Sequence, residues 1–158
     1  MAHATASIGT VDYATTIVTG AHAPHTFQAD EGPELGGKDS GPAPYDLLTS
    51  ALGACTVITL RMYAERKQWP VTSVKARIHY SRDGAAERIE RTLFIEGADA
   101  EQKKRMAEIA ERTPVTLTLK KSMPITTTIG RGTLGRRGTS CTSAFPLRRR
   151  ARSPHSIH

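Results

Sequence analysis

A long apolar segment bounded by prolines most constrains the fold of this chain. It begins at Pro44 and stops before Trp69 and Pro70, and its apolar residues recur at intervals of three and four. Proline suits the first turn of a helix and does not continue a helix from within, so the segment is predicted to form one long helix. Because its apolar residues lie on two adjoining lines, we expect this helix to be buried on most sides near Cys55.

Segments with the composition of β-strands lie on both sides of this helix. Residues 7–20 and 25–30 are rich in Thr, Val and Ile, and they lead into a Gly- and Pro-rich loop at 31–44. After the helix, residues 71–81 alternate between apolar and polar side chains, and residues 87–97 repeat the pattern across a turn. The two segments before the helix are predicted to form hairpins. The two segments after it are predicted to form an antiparallel hairpin with one buried face.

Capping signals place two further helices in the last part of the domain. Asp99 followed by Gln102 is a capping-box variant that opens a helix running to Arg112. Thr113 and Pro114 read as a new N-cap with proline in the first turn of a short helix. Residues 123–129 are predicted to form a final strand. The order of hairpins, long helix, hairpin, helices and strand indicates an α+β fold.

The basic charge of the chain is confined to its end. Residues 1–128 contain 15 basic and 15 acidic residues, whereas residues 129–158 contain seven arginines and no acid. We therefore expect a neutral domain at 1–129 and a basic, disordered tail at 130–158. Nucleic acid is not an expected partner apart from weak contacts of this tail. The abrupt change at Gly130 leaves open that the tail arose from a frame change.

The sequence indicates a cytoplasmic protein without a bound metal or cofactor. Its start lacks a secretory signal, and no uninterrupted apolar run is long enough to cross a membrane. Two cysteines do not make a disulfide framework, which suits a reducing compartment. His22 and His25 form the only metal-like spacing, and a zinc site requires further ligands.

The residues alone allow two interpretations of Cys55. A cysteine on an apolar helical face is most often inert packing, but it can also be a nucleophile if its thiolate is stabilised. Cys55 lies too deep in the helix for the N-terminal dipole to do this, so a cation must come from elsewhere. The candidates are Lys38, Arg61, Arg66 or a residue of the third strand.

Two long stretches give the chain a family resemblance over about residues 8–129. They are "DEGPELGGKDSGPAPYDLLTSALGACTVITLRMYAERKQWP" and "ERIERTLFIEGADAEQKKRMAEIAERTPV". Together they resemble the OsmC-like branch of the OsmC/Ohr family. The resemblance implies antiparallel sheets wrapped around two long central helices in an intertwined homodimer, with active sites at the subunit interface. It also implies a thiol-dependent peroxidase that reduces organic hydroperoxides.

The resemblance assigns roles to individual positions. Cys55 falls on the nucleophile, and Thr113 falls where a resolving cysteine is expected, so the disulfide step is lost. The activating arginine has no counterpart before Arg61, which leaves Lys38 as the N-terminal cation. In the family a carboxylate residue pairs with that arginine. Tyr45 occupies its position here, one residue before Asp46.

These departures leave two functions open. The first is a one-cysteine peroxidase in which Cys55, aided by Lys38 and Asp46, reduces a hydroperoxide and is recycled by an external thiol. Cys141 in the tail is a poor substitute for the missing resolving thiol. The alternative is a family member without peroxidase activity, a ligand-binding or structural stress protein with a degenerate site.

Overall fold

The computed structural model describes residues 2–10, 12–20 and 22–129, and residues 1–124 form one compact unit. Its elements are β1 (Ala4–Ile8), β2 (Thr15–Thr19), β3 (His25–Ala29), α1 (Pro44–Arg66), β4 (Ser73–Asp83), β5 (Ala86–Glu96), α2 (Ala100–Ala110) and α3 (Pro114–Lys121). The predicted α+β class with antiparallel strands is confirmed. The predictions for the tail and Cys141 lie outside the described residues.

The strands form two separate antiparallel sheets. One has the order β1-β2-β3, and the other is the β4-β5 hairpin, in which Val74 lies opposite Ile95. The hairpin turns at Gly84, whose φ of +56° favours a residue without a side chain. Alternation along β4 and β5 turns one row of side chains toward α1 and leaves the other row exposed.

The hydrophobic core lies where α1 and α2 pack with the hairpin. Leu60 and Met106 have no exposed surface, and the other members of the cluster are Ala64, Val71, Ile95 and Ala110. The cap of α2 follows its sequence signal, whereas Thr113 is the N-cap residue of α3 without a side-chain cap hydrogen bond. Asp99 accepts a hydrogen bond from the Gln102 N–H at 2.8 Å, and the Gln102 side chain accepts one from the Asp99 N–H.

A buried carboxylate orders the Gly- and Pro-rich loop before α1. Asp30 is 3% exposed and accepts hydrogen bonds from the backbone N–H groups of Glu31, Lys38 and Ser40 and from the Ser40 hydroxyl. The Ser40 hydroxyl is the largest cause that lowers the pKa of Asp30 to about 2, and the backbone donors add to it. Asp30 therefore stays ionised and fixes the chain that enters the long helix.

The burial expected for α1 is found on one side only. Leu52, Thr56, Leu60 and Ala64 are buried. The opposite face carries Ala51, Ala54, Ile58 and Met62, and the last two are each 57% exposed. The expectation of burial on most sides was wrong for the single chain, because no described element packs over that face.

The predicted strand at 123–129 is also not present in the described residues. Ile125 and Ile129 are 91% and 96% exposed. A strand requires a neighbour that supplies hydrogen bonds, and here Pro124 has no N–H to donate. Composition indicated an extended segment, but no strand among the described residues pairs with it.

By length and composition, α1 is apolar enough to cross a membrane, with a mean hydropathy of 1.4 over 18 residues. The core helix of a soluble protein passes the same test, so one such helix is weak evidence. The sequence expectation concerned an uninterrupted apolar run of that length, and α1 contains none. Polar residues such as Thr56 and Thr59 interrupt the segment, so its mean hydropathy is high although its apolar residues do not form an unbroken run.

Candidate functional site

Cys55 lies in the middle of α1 and is half-buried, with a free thiol. Its helical position falls between the buried line of Leu52 and Thr56 and the uncovered line of Ala51 and Ile58. The thiol thus lies at the edge of an exposed apolar surface and not in the centre of the core.

Thr113, at the expected resolving position, is fully buried at the N-cap of α3. Its hydroxyl lies 2.7 Å from the Thr116 hydroxyl, which also donates to the Ala110 carbonyl at 3.2 Å. These contacts satisfy both hydroxyl groups inside the protein. Thr113 therefore has a structural partner but offers no thiol chemistry.

Arg91 on β5 is a cation that the sequence analysis did not identify. Its side chain is only 10% exposed. One terminal nitrogen, Nη1, donates to the hydroxyls of Thr56 at 3.1 Å and Thr116 at 3.0 Å, and Nη2 pairs with Glu111 at 2.8 Å. Thr56 directly follows Cys55 in α1. A single guanidinium thus links the helix that carries Cys55 to the start of α3.

The alternation of β5 explains why an arginine is buried here. Arg91 shares the inward row with Ile89, Leu93 and Ile95, all of which are partly or fully buried. The available sequence signal was a charged residue at an apolar position of an alternating strand. A buried charge requires compensating partners, and the two threonines and Glu111 supply them.

Glu111 is shared between two cations. One carboxylate oxygen accepts from Arg91, and the other accepts from the ammonium group of Lys120. The hydrogen bond from Lys120 is the largest cause that lowers the pKa of Glu111, followed by the bond from Arg91. Glu111 is therefore ionised at neutral pH, and the group of three carries one excess positive charge.

A cavity of about 510 Å³ lies beside this group. Its apolar wall is formed by Tyr45, Leu48, Leu52, Tyr80, Ile89 and Leu119. The two tyrosine rings stack with centroids 4.2 Å apart. The adjacent Tyr45 hydroxyl is the largest cause that raises the pKa of Tyr80. Burial and Glu87, which accepts a hydrogen bond from the Tyr80 hydroxyl at 3.0 Å, add to it. Cys55 is not among the residues that line this cavity.

The other predicted site residues have partners elsewhere. Lys38 is 69% exposed and pairs with Asp12 at 2.5 Å, whose carboxylate raises the pKa of Lys38. Asp46 accepts a hydrogen bond from the Ala43 N–H at 3.2 Å and so caps α1. In the described ranges neither residue hydrogen-bonds or pairs with Cys55, and their catalytic roles stay predictions.

The alternative cations on α1 are also engaged or distant. Arg61 pairs with Glu65 at 2.7 Å and donates to the Val71 carbonyl at 2.8 Å. Arg66 is exposed in the last turn of the helix. Arg91 is thus the one cation whose described hydrogen bonds reach the residue adjacent to Cys55.

Across the described ranges, no group of three or more His, Cys, Asp and Glu side chains is placed to hold a metal ion. His22 and His25 are both exposed.

Comparisons with known proteins agree on the fold. A family model described as OsmC-like protein matches residues 37–128. A solved structure from Psychrobacter arcticus, named for osmotic stress induction and a detoxification response, is 18% identical, covers 77% of this chain and 88% of its own, and has a TM-score of 0.62.

Two further solved structures carry names that refer to hydroperoxides. The organic hydroperoxide resistance protein OsmC of Legionella pneumophila is 17% identical, with coverage of 76% and 89% and a TM-score of 0.56. The organic hydroperoxide resistance protein OhrB of Bacillus subtilis is 20% identical, with coverage of 75% and 90% and a TM-score of 0.52. At these identities the likeness establishes the fold. No curated protein sequence matches the chain.

Proposed function

This chain belongs to the OsmC-like protein family, and from that premise we propose that it is a thiol-dependent peroxidase that reduces organic hydroperoxides through Cys55. The observation that carries the proposal is the position of Cys55. It lies within the family-matched range, on the long helix, as a free and half-buried thiol.

The proposed reaction has an oxidising and a reducing half. The Cys55 thiolate attacks the terminal peroxide oxygen, the O–O bond breaks, and the sulfur becomes a sulfenic acid. The substrate leaves as an alkoxide, which takes a proton from water to become an alcohol. An external thiol then condenses with the sulfenic acid, releasing water and forming a mixed disulfide. A second thiol attacks the external sulfur, which restores the Cys55 thiolate and releases an oxidised disulfide.

Two contacts of the site support this one-cysteine route. Thr113 is buried, and its hydroxyl is hydrogen-bonded to the Thr116 hydroxyl. Because a hydroxyl cannot form a disulfide, an external thiol must take the place of a resolving cysteine. Arg91 brings a positive charge to Thr56, the residue next to Cys55. A cation near a thiol favours its thiolate form, and Arg91 is our candidate for that role.

We also propose that two copies form a homodimer in the cytoplasm through the uncovered face of α1. Ile58 and Met62 are each 57% exposed on that face, beside a shallow cavity of about 480 Å³. Covering these apolar side chains is favourable, and Cys55 lies at the edge of the same face. A second copy would thus complete the surroundings of the thiol.

Turnover assays test the proposed activity. The wild type should consume cumene hydroperoxide in the presence of a small dithiol, and Cys55→Ser should reduce the rate to the background of the buffer. Thr113→Ser should retain activity, since it keeps the buried hydroxyl. Equal rates for wild type and Cys55→Ser would refute the proposal.

A second candidate function is a binding protein of this family without peroxidase activity. The separation between the cavity and Cys55 favours it, because the lining residues do not include the thiol. This alternative predicts that Cys55 reacts with a thiol reagent near neutral pH only after the protein is unfolded. Rapid labelling of Cys55 in the folded protein would exclude this alternative.

A further inference from the structure

We infer that the cavity between α1, the β4–β5 hairpin and α3 binds an aliphatic carboxylate, with its head group held by Arg91 and Lys120. This inference does not depend on thiol chemistry, because Cys55 does not line the cavity. A volume of about 510 Å³ lies within the range of small-molecule sites.

The charged residues that line the cavity favour an anion. Arg91 and Lys120 share the single carboxylate of Glu111, which leaves one positive charge without a partner in this group. The other charged lining residues have partners of their own. Glu87 pairs with Arg82 at 2.9 Å, and Arg88 lies 3.5 Å from Glu90. One carboxylate on a ligand would balance the excess.

Arg91 also retains hydrogen-bonding capacity. A guanidinium has five N–H donors, and in the described part of the chain Arg91 uses three of them, on Thr56, Thr116 and Glu111. No buried side-chain nitrogen or oxygen among the described residues lacks a partner. The Nε–H of Arg91 has no acceptor there and is therefore not fully buried, and Arg91 lines the cavity.

The remainder of the cavity selects for an apolar body. Leu48, Leu52, Ile89 and Leu119 present aliphatic side chains, and the two stacked tyrosines also line the cavity. Burial of an alkyl chain against such a wall is favourable in proportion to the apolar area that is removed from water. A monocarboxylate matches the single excess charge better than a phosphate ester, which carries about −1.5 to −2 charges at neutral pH.

Calorimetric titration of Cys55→Ser with three eight-carbon ligands tests the inference, and the serine variant removes any thiol reaction. We expect octanoate to bind at least ten times more tightly than 1-octanol, and octyltrimethylammonium not to bind. Added salt should weaken octanoate binding, because screening reduces the attraction of the exposed Lys120 ammonium group. Equal affinity for octanoate and 1-octanol, or no binding of octanoate, would overturn the inference.

Substitutions then locate the site. In the same background, Arg91→Gln should weaken octanoate binding at least tenfold, because it removes a charge-assisted donor. Since Arg91 also supports the fold, Lys120→Gln is the second variant, with an expected loss of about two- to fivefold. Lys121→Gln is its matched control, because Lys121 is exposed and does not line the cavity. Equal losses for Lys120→Gln and Lys121→Gln would contradict the proposed position.

These results are separate from those of the peroxidase assay. Octanoate binding with no hydroperoxide turnover would support the carboxylate site and refute the enzymatic proposal. Hydroperoxide turnover without octanoate binding would support the enzymatic proposal and refute the carboxylate site.

Discussion

Replacement of Arg91 by methionine should lower the free energy of unfolding more than the same replacement of an exposed arginine on the same strand. Arg91 is 10% exposed, and its charged nitrogens donate to Thr56 and Thr116 in addition to the pair with Glu111. A hydrogen bond that involves a charged group contributes about 1.5–3 kcal/mol. The substitution therefore removes several such contacts at once.

Two effects limit the loss. The Thr56 hydroxyl still donates to the Leu52 carbonyl and Thr116 to the Ala110 carbonyl, so no hydroxyl becomes unpaired. Methionine also avoids the cost of burying a charge while it fills most of the volume. The expected net decrease in the free energy of unfolding is about 2–4 kcal/mol.

Urea unfolding followed by circular dichroism provides the assay, with Arg88→Met as the matched control. Arg88 lies on the same strand but is 71% exposed, and its nearest carboxylate is 3.5 Å away. Its replacement should change stability by less than about 0.5 kcal/mol. Protein concentration must be equal in all samples if the chain dimerises. Equal losses for the two variants, or a gain in stability for Arg91→Met, would refute the reasoning.

Three further predictions concern the core, the loop and the uncovered face. Met106→Ala should lower the free energy of unfolding by about 2–5 kcal/mol, because Met106 has no exposed surface, and a smaller loss in the same urea assay would contradict the described core. Asp30 has a pKa of about 2 in the folded protein, below its ordinary value of 3.8, so its ionised form stabilises the fold above about pH 4 and this contribution disappears as the pH falls toward 2. The stability difference between wild type and Asp30→Asn should therefore narrow over that range, and a constant difference would be inconsistent with the loop contacts. Ile58→Glu should shift the protein from dimer to monomer in sedimentation without unfolding it, whereas an unchanged dimer would exclude this face as the interface.

The elements that the sequence predicted correctly depend on local signals. Pro44 and the apolar spacing determine α1, and the reciprocal bonds of Asp99 and Gln102 begin α2. Each of these signals involves residues within a few positions of one another. Their structural effect does not require knowledge of the rest of the fold.

The features that the sequence did not predict depend on distant contacts. Arg91 is separated by 35 residues from Thr56 and by 25 from Thr116, so its role appears only when the strand and both helices are assembled. Lys38 likewise pairs with Asp12 on a distant segment. The strand expected at 123–129 is absent from the described residues, because pairing depends on a neighbour that composition does not reveal.

The most direct test of the proposed function is the fate of the Cys55 sulfur after one equivalent of organic hydroperoxide. Mass spectrometry of the purified chain, truncated after Ile129 to remove Cys141, should show the gain of one oxygen atom at Cys55. That oxygen should be trapped by dimedone as a sulfenic acid and removed by an external thiol. An unmodified Cys55 under the same conditions would contradict the account.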